Sequence, residues 1–191
     1  MTVAIMAGAP GMTFVIFYAV PTQLPYHLAE IGLADPRQAG EVMGAMMLAA
    51  AVMAIASGWL RPILGRIGMP VVGYLSLAIG FALLAKAQGL AMAMAGTALT
   101  GGGLGLVVPT FITTALNAAP AHRRGLVSGI VTSAFFMGQF LSPLAMQPLI
   151  THWNYATAFG IGALGYLALA LILILTLRRR PGPVDKPAGA H

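Results

Sequence analysis

Few side chains in this 191-residue sequence carry groups suited to chemistry, and their spacing limits what that chemistry can be. Ser128-Gly129 with His122 or His152 supplies the residue types of a nucleophilic serine and its base. Such a pair must meet at one depth of a protected site. His122 instead falls in a basic loop before the apolar run that holds Ser128, and His152 falls beyond that run's other end, so no Ser–His centre is expected. Gly101-Gly102-Gly103-Leu104-Gly105 has the glycine content of a phosphate-cradling loop, yet it lacks the following Lys-Ser/Thr and lies inside an apolar run. Cysteine is absent, which excludes disulfides, thiolate ligands and cysteine nucleophiles. No Cys/His/Asp/Glu cluster has metal-ligand spacing and no nucleotide fingerprint is present, so neither an enzyme nor a bound metal or other cofactor is expected. What remains are Tyr18, Gln23, Asn117 and Gln139, hydroxyl and amide groups set in apolar runs, where they can bind a small solute. The competing use of such groups is a bond to a neighbouring helix or to a carbonyl freed by proline, worth about 0.6–2 kcal/mol. Phe135 and Phe136 suit an apolar solute, but packing is the commoner role for such rings.

The elements that hold these residues follow from composition. Hydrophobic residues make up 59% of the chain and charged residues 7%, and the mean hydropathy is +0.88, which no water-soluble domain of this length tolerates on its surface. A spanning helix needs about 20 mostly apolar residues. The sequence has runs at about 5–28, 41–60, 69–87, 90–118, 126–149 and 155–177, which predicts an all-α integral membrane bundle of six transmembrane helices over residues 1–180. Pro181, Pro183 and Pro187 mark 181–191 as a disordered cytoplasmic tail. The N-terminus lacks a basic n-region and stays apolar past any cleavage point, so no removable signal peptide is expected.

Charge sets the orientation. The formal net charge is +6, and in a soluble chain that would suggest nucleic acid. Here the basic residues sit between apolar runs and read as topology signals, with no nucleic-acid partner. Eight of the ten lie on one side: Arg61, Arg66, Arg123, Arg124, Arg178, Arg179, Arg180 and Lys186; Arg37 and Lys86 lie on the other. Basic residues stay cytoplasmic, and an even number of spans returns the chain to its starting side, so both termini are expected in the cytoplasm. Glu30, Asp35, Glu41 and Asp185 all fall at span ends, in loops or in the tail, leaving no carboxylate at membrane depth for proton coupling. His27 lies near the outer end of the first run, where an interfacial histidine needs no role.

The runs differ in character. The first carries Gly8, Pro10, Gly11, Pro21 and Pro25 with Tyr18, Thr22, Gln23 and Tyr26, a costly surface for lipid. In the fourth, the glycines at 101–105 permit close helix approach and Pro109 frees a carbonyl beside Thr110, Thr113 and Thr114. Residues 167–177 of the sixth are nearly all Leu, Ile and Ala. The first and fourth are therefore the expected interior pair and the sixth the expected lipid-facing helix. Trp59 and Trp153 fall at expected membrane boundaries, and Asp35-Pro36 and Pro70 suit helix starts.

Between the second and third runs, Gly58-Trp59-Leu60-Arg61-Pro62-Ile63-Leu64-Gly65-Arg66-Ile67-Gly68 forms a short basic hairpin. It resembles the signature gating loop of the major facilitator superfamily, Gly-x-Leu-x-Asp-Arg-x-Gly-Arg, through Gly58, Leu60, Gly65 and Arg66. Pro62 and Ile63 replace the family's Asp and first Arg, so the latch made by that acidic group does not carry over. Pro21-Thr22-Gln23-Leu24-Pro25-Tyr26, Val108-Pro109-Thr110, Pro120-Ala121-His122-Arg123-Arg124-Gly125 and Gly138-Gln139-Phe140-Leu141-Ser142-Pro143 look like segments of bacterial drug and sugar efflux permeases in that superfamily. Their order matches its carboxy-terminal half. The resemblance implies one six-helix half of a twelve-helix transporter of the bacterial inner membrane, exporting a small molecule by alternating access. It also implies that the first and fourth helices line the cavity while the third and sixth face lipid. The second half would be encoded upstream in the same chain, as a separate subunit, or supplied by a homodimer. The alternative is a truncated or accessory membrane protein with no transport of its own.

Overall fold

Proline and glycine punctuate the helices. The computed structural model describes residues 11–178, with the backbone alone at Arg66, Ala118 and 176–178. The expectations for residues 1–10, for Arg179 and Arg180 and for the tail at 181–191 lie outside the described residues. Helical residues 11–17 lead through a turn at Tyr18 into α1 (Ala19–Glu30). Pro21 has no N–H to offer the Phe17 carbonyl, which accounts for the irregularity there. Tyr18 N–H still bonds the Phe14 carbonyl at 3.0 Å, and the Thr22 hydroxyl donates to the Tyr18 carbonyl at 2.6 Å. α1 closes with Gly32 at φ 85°, where Leu33 N–H reaches back to the Leu28 carbonyl at 2.8 Å, the glycine-terminated cap that satisfies orphan carbonyls.

α2 (Pro36–Gly65) begins with Asp35, whose carboxylate accepts from Arg37 N–H at 2.9 Å, and with Pro36 in the first turn. It is followed by α3 (Ile67–Ala85), α4 (Leu90–Ala118), a single 3-10 turn (Ala121–Arg123), α5 (Arg124–His152) and α6 (Tyr155–Arg178). Asn154 caps α6 by accepting from Thr157 N–H at 2.7 Å. Five of these helices, counted among the described residues, are long and apolar enough to cross a membrane.

The basic hairpin differs from its sequence reading. Residues 58–64 continue α2 as helix, and the reversal is confined to Gly65, at φ 67° and ψ −176°. Pro62 deprives only the Gly58 carbonyl of its helical donor. Gly58 and Trp59 are exposed, so water or headgroups can serve that carbonyl.

α4 is seated between α2 and α3, and its glycines allow it. A Cβ at Gly101 would collide with the Met46 carbonyl of α2, and one at Gly105 with the Ala50 carbonyl. On another side, a Cβ at Gly103 would lie 2.6 Å from the Gly73 carbonyl of α3, and one on Gly80 would lie 2.7 Å from the Gly96 carbonyl. The backbones thus meet directly, the small-residue packing that substitutes for a hydrophobic drive within a bilayer. Thr97 fixes the junction by donating to the Val42 carbonyl of α2 at 3.0 Å.

α3 presents Tyr74, Leu77, Phe81 and Leu84 inward at helical spacing, each no more than 2% exposed. Phe81 packs edge-on against Tyr166 and Phe159 of α6, with ring centroids 5.1 and 5.8 Å away. The outward face of α6 is Leu164, Leu167, Leu171, Ile172 and Leu175, a uniform apolar surface. α2 and α5 are different: only 11% of each apolar window is buried, against 50% for α3 and 56% for α4.

Candidate functional site: a hydroxyl and aromatic face on the first, fourth and fifth helices

α5 touches the rest of the bundle mainly through Gly138, Ser142 and Met146, one buried stripe on an otherwise exposed helix. Gly138 is the point of closest approach, since a Cβ there would lie 2.5 Å from the Phe14 Cβ. One turn away, the rings of Phe14 and Phe135 meet edge-on at 3.9 Å between centroids. Phe14 also packs with Tyr18, at 6.4 Å. Between α4 and α5 a small cavity of ≈ 60 Å³ is lined by Ile112, Leu116, Ser128, Val131, Thr132 and Phe135. This combines two hydroxyls with an aromatic wall.

Below this cavity α4 is modified by Pro109. The Thr110 hydroxyl donates to the Leu106 carbonyl and the Thr113 hydroxyl to the Pro109 carbonyl, both at 2.8 Å, so these threonines serve their own helix. At mid-bundle a further polar cluster ties three helices. The Tyr74 hydroxyl lies 2.8 Å from the Thr13 hydroxyl, and the Tyr166 hydroxyl donates to the Thr13 carbonyl at 2.9 Å. All three residues are buried. Sequence reasoning missed this cluster. The available signal was the inward stripe of α3, which puts Tyr74 in line with Leu77, Phe81 and Leu84 and so obliges its hydroxyl to find a partner.

The four residues singled out for solute contact are not equivalent in position. Tyr18 is half-buried at the irregular turn, with its ring also 5.6 Å from that of Phe17. Gln23 is 8% exposed within α1. Gln139 follows Gly138 at mid-length of α5 and is exposed beside Phe136 and Phe140. Asn117 is exposed in the last turn of α4, 14 residues beyond Gly103 and so about 20 Å along the helix from the Gly73 contact. Tyr18 and Gln139 therefore share a level, through the Phe14–Gly138 contact, and Asn117 stands apart at the basic end. Of the gating motif, Gly58 and Leu60 lie in the body of α2, Gly65 makes the turn and Arg66 follows it. Phe135 is packed against Phe14, and Phe136 is exposed.

A bundle of long apolar helices, without a strand among the described residues, defines a multi-pass membrane protein. The chain belongs to the Major Facilitator Superfamily, whose family model matches residues 3–191. It is 30% identical over 122 residues to "Multidrug resistance protein Stp" of Mycobacterium tuberculosis (strain ATCC 25618 / H37Rv), covering 61% of this chain and 23% of that protein. It is 30% identical over 140 residues to "Myo-inositol transporter 2" of Schizosaccharomyces pombe, covering 71% of this chain and 24% of that one. Among solved structures, a POT family transporter in complex with a thioalcohol-conjugated peptide superposes with a TM-score of 0.78 at 19% identity, covering 95% of this chain and 39% of that one. A POT family transporter in complex with 5-aminolevulinic acid gives a TM-score of 0.77 at 19% identity, over 92% of this chain and 38% of that one. The chain thus spans about a quarter of the length of these curated relatives and has the fold of one six-helix repeat of the superfamily.

Proposed function

We propose that this chain forms one wall of a solute pathway that works by alternating access, exporting a neutral or amphiphilic small molecule across a bacterial inner membrane, with both termini in the cytoplasm. A second six-helix bundle supplies the other wall. One observation carries this reading. The faces that α2 and α5 leave uncovered interleave small, hydroxyl and amide residues, namely Gly40, Gly44, Ala51, Ala54 and Gly58 on α2 and Gly129, Ser133 and Gln139 on α5, with large apolar ones such as Leu48 and Ile55 on α2 and Phe136 and Phe140 on α5. Lipid calls for the Leu/Ile surface of α6, whereas small and polar residues suit contact with other helices or a solute. The name of the mycobacterial relative, a multidrug resistance protein, favours export of amphiphilic compounds. Tyr18, Gln139 and the Ser128–Thr132 hydroxyls are the proposed solute contacts, Phe14 and Phe135 an apolar floor. Gln23 and Asn117 are second choices, because one is enclosed in α1 and the other is at a helix end.

The test is uptake of amphiphilic drugs and sugars into proteoliposomes, by the chain alone and with a six-helix amino-terminal half of the same superfamily. Uptake that requires both halves and falls on Gln139→Ala supports the reading. Uptake by the chain alone points to a homodimer, and silence in every combination rejects a transport role.

A further inference from the structure

At the end of the bundle away from Arg61, Arg123 and Arg124, the ends of α1 and α3 and the start of α6 border an open cavity of ≈ 340 Å³. His27, Glu30, Lys86, Gln88 and Asn154 supply its polar lining. His27 is the unusual member. It is 3% exposed, and its ring is held between Tyr155 and Phe159 with centroids 6.0 and 5.5 Å away. Its Nε2 lies 3.1 Å from the Leu84 carbonyl. A carbonyl only accepts, so Nε2 carries the proton and Nδ1 presents a lone pair in the neutral ring. That Nδ1 is buried with no hydrogen-bond partner among the described residues, and the nearest charged group is the Glu30 carboxylate at 3.8 Å.

Two adjacent acceptors of this kind ask for a donor with more than one N–H. The carbonyl ends of α1 and α3 reinforce the preference for a cation, since Glu30, Ile31, Ala85 and Lys86 all line the cavity. A bare cation would meet the Lys86 ammonium. Glu30 and Lys86, however, line the same space without forming an ion pair with each other. The first turn of α6, at Asn154 and Ala156, adds a second positive element next to Lys86. A cavity that holds opposite charges apart around an unsatisfied acceptor is complementary to a molecule with the reversed pattern.

We propose that this cavity binds a primary ammonium carrying an anionic group, either a soluble zwitterion or the headgroup of an aminophospholipid at the membrane surface. Nδ1 is closed to water as the side chains stand, so the half-exposed Glu30 side chain swings aside to admit the ammonium, which donates to His27 Nδ1 and the Glu30 carboxylate while the anionic end faces Lys86. A quaternary ammonium has no N–H and is excluded. The site is remote from the α4–α5 cavity and does not depend on the solute pathway proposed above.

The test uses the full chain with 15N-labelled histidine in phosphatidylcholine nanodiscs, the His27 signal being assigned by its loss in His27→Asn. One arm titrates soluble phosphoethanolamine, a second replaces part of the lipid with phosphatidylethanolamine, and a third titrates phosphocholine. A saturable shift of the Nδ1 resonance in the first arm assigns a soluble zwitterion, and a shift in the second arm alone assigns a lipid headgroup. Glu30→Gln and Lys86→Met, at exposed positions that leave the core intact, should each weaken binding roughly tenfold, the loss of one charge-assisted contact. An Nδ1 signal unmoved by both ethanolamine compounds, or moved equally by phosphocholine, overturns the proposal.

Discussion

At the scale of single residues, glycine and tyrosine carry the bundle in opposite ways. Gly101 matters because it has no side chain: its missing Cβ is the space the Met46 carbonyl occupies. Gly101→Ala should therefore cost about 1–3 kcal/mol of stability, the usual penalty for overpacking. Gly129→Ala on the open face of α5, where nothing lies within 4 Å, should leave stability within about 0.5 kcal/mol. Thermal unfolding of both variants in one detergent makes the comparison, and equal midpoints would remove the close-approach argument. Tyr166 acts through what its side chain adds. Tyr166→Phe keeps the ring against Phe81 and removes the bond to the Thr13 carbonyl, which should lower stability by about 0.5–1.5 kcal/mol without unfolding the chain. The same measurement on Tyr74→Phe, and on the double variant, should show losses that do not add, because both hydroxyls meet at Thr13.

At the scale of elements, the apolar run Glu41–Leu60 and the helix Pro36–Gly65 are different objects, and the difference explains what the sequence could reveal. Hydropathy delimits the part of a helix that lies in hydrocarbon, about 30 Å. The 30 residues of α2 rise about 45 Å, so its ends extend into the headgroup layers, where Arg37, Glu41 and Arg61 are at no disadvantage. A bundle of long apolar helices was therefore legible, and helix ends were not. The seating of α4 was legible from Gly101 to Gly105, because close approach is the main use of clustered glycine in a bilayer. What it packs against, α2 on one side and α3 on another, depends on tertiary geometry that no local pattern encodes. The polar residues show the same limit: Gln139 and Asn117 looked alike as amides in apolar runs, yet one lies at mid-length of α5 and the other at the end of α4. The α2–α3 turn yields a further prediction. Gly65 has a backbone conformation open almost only to glycine, so Gly65→Ala should cost about 1–3 kcal/mol, while Gly58→Ala, in regular helix with open space around it, should be neutral or stabilising. Thermal midpoints of the pair decide it; a tolerant Gly65 would mean that the turn relaxes into another shape.

For the whole molecule, the contrast between α5 and α6 is a statement about neighbours. α6 exposes a Leu/Ile surface, and α5 exposes Ser133 and Gln139 among Ile130, Phe136, Met137, Phe140 and Leu144. If a second bundle covers that side, Ser133→Leu should leave the midpoint of the isolated chain unchanged while reducing co-purification with an amino-terminal half several-fold; unchanged co-purification would place α5 against lipid. The seat of α4 also bears on how the chain is made. Helices emerge from the ribosome in order, so α2 and α3, joined through the sharp break at Gly65, enter the bilayer as a hairpin before α4 exists. Its slot must then be held open, or reopened, when α4 arrives. Insertion and assembly consequently make opposite demands on the same residues. Gly101→Leu would partition into the bilayer more readily than the natural sequence and yet fail to dock, leaving a fully inserted but unassembled chain, the form that membrane quality control must recognise by loose helices and not by exposed charge.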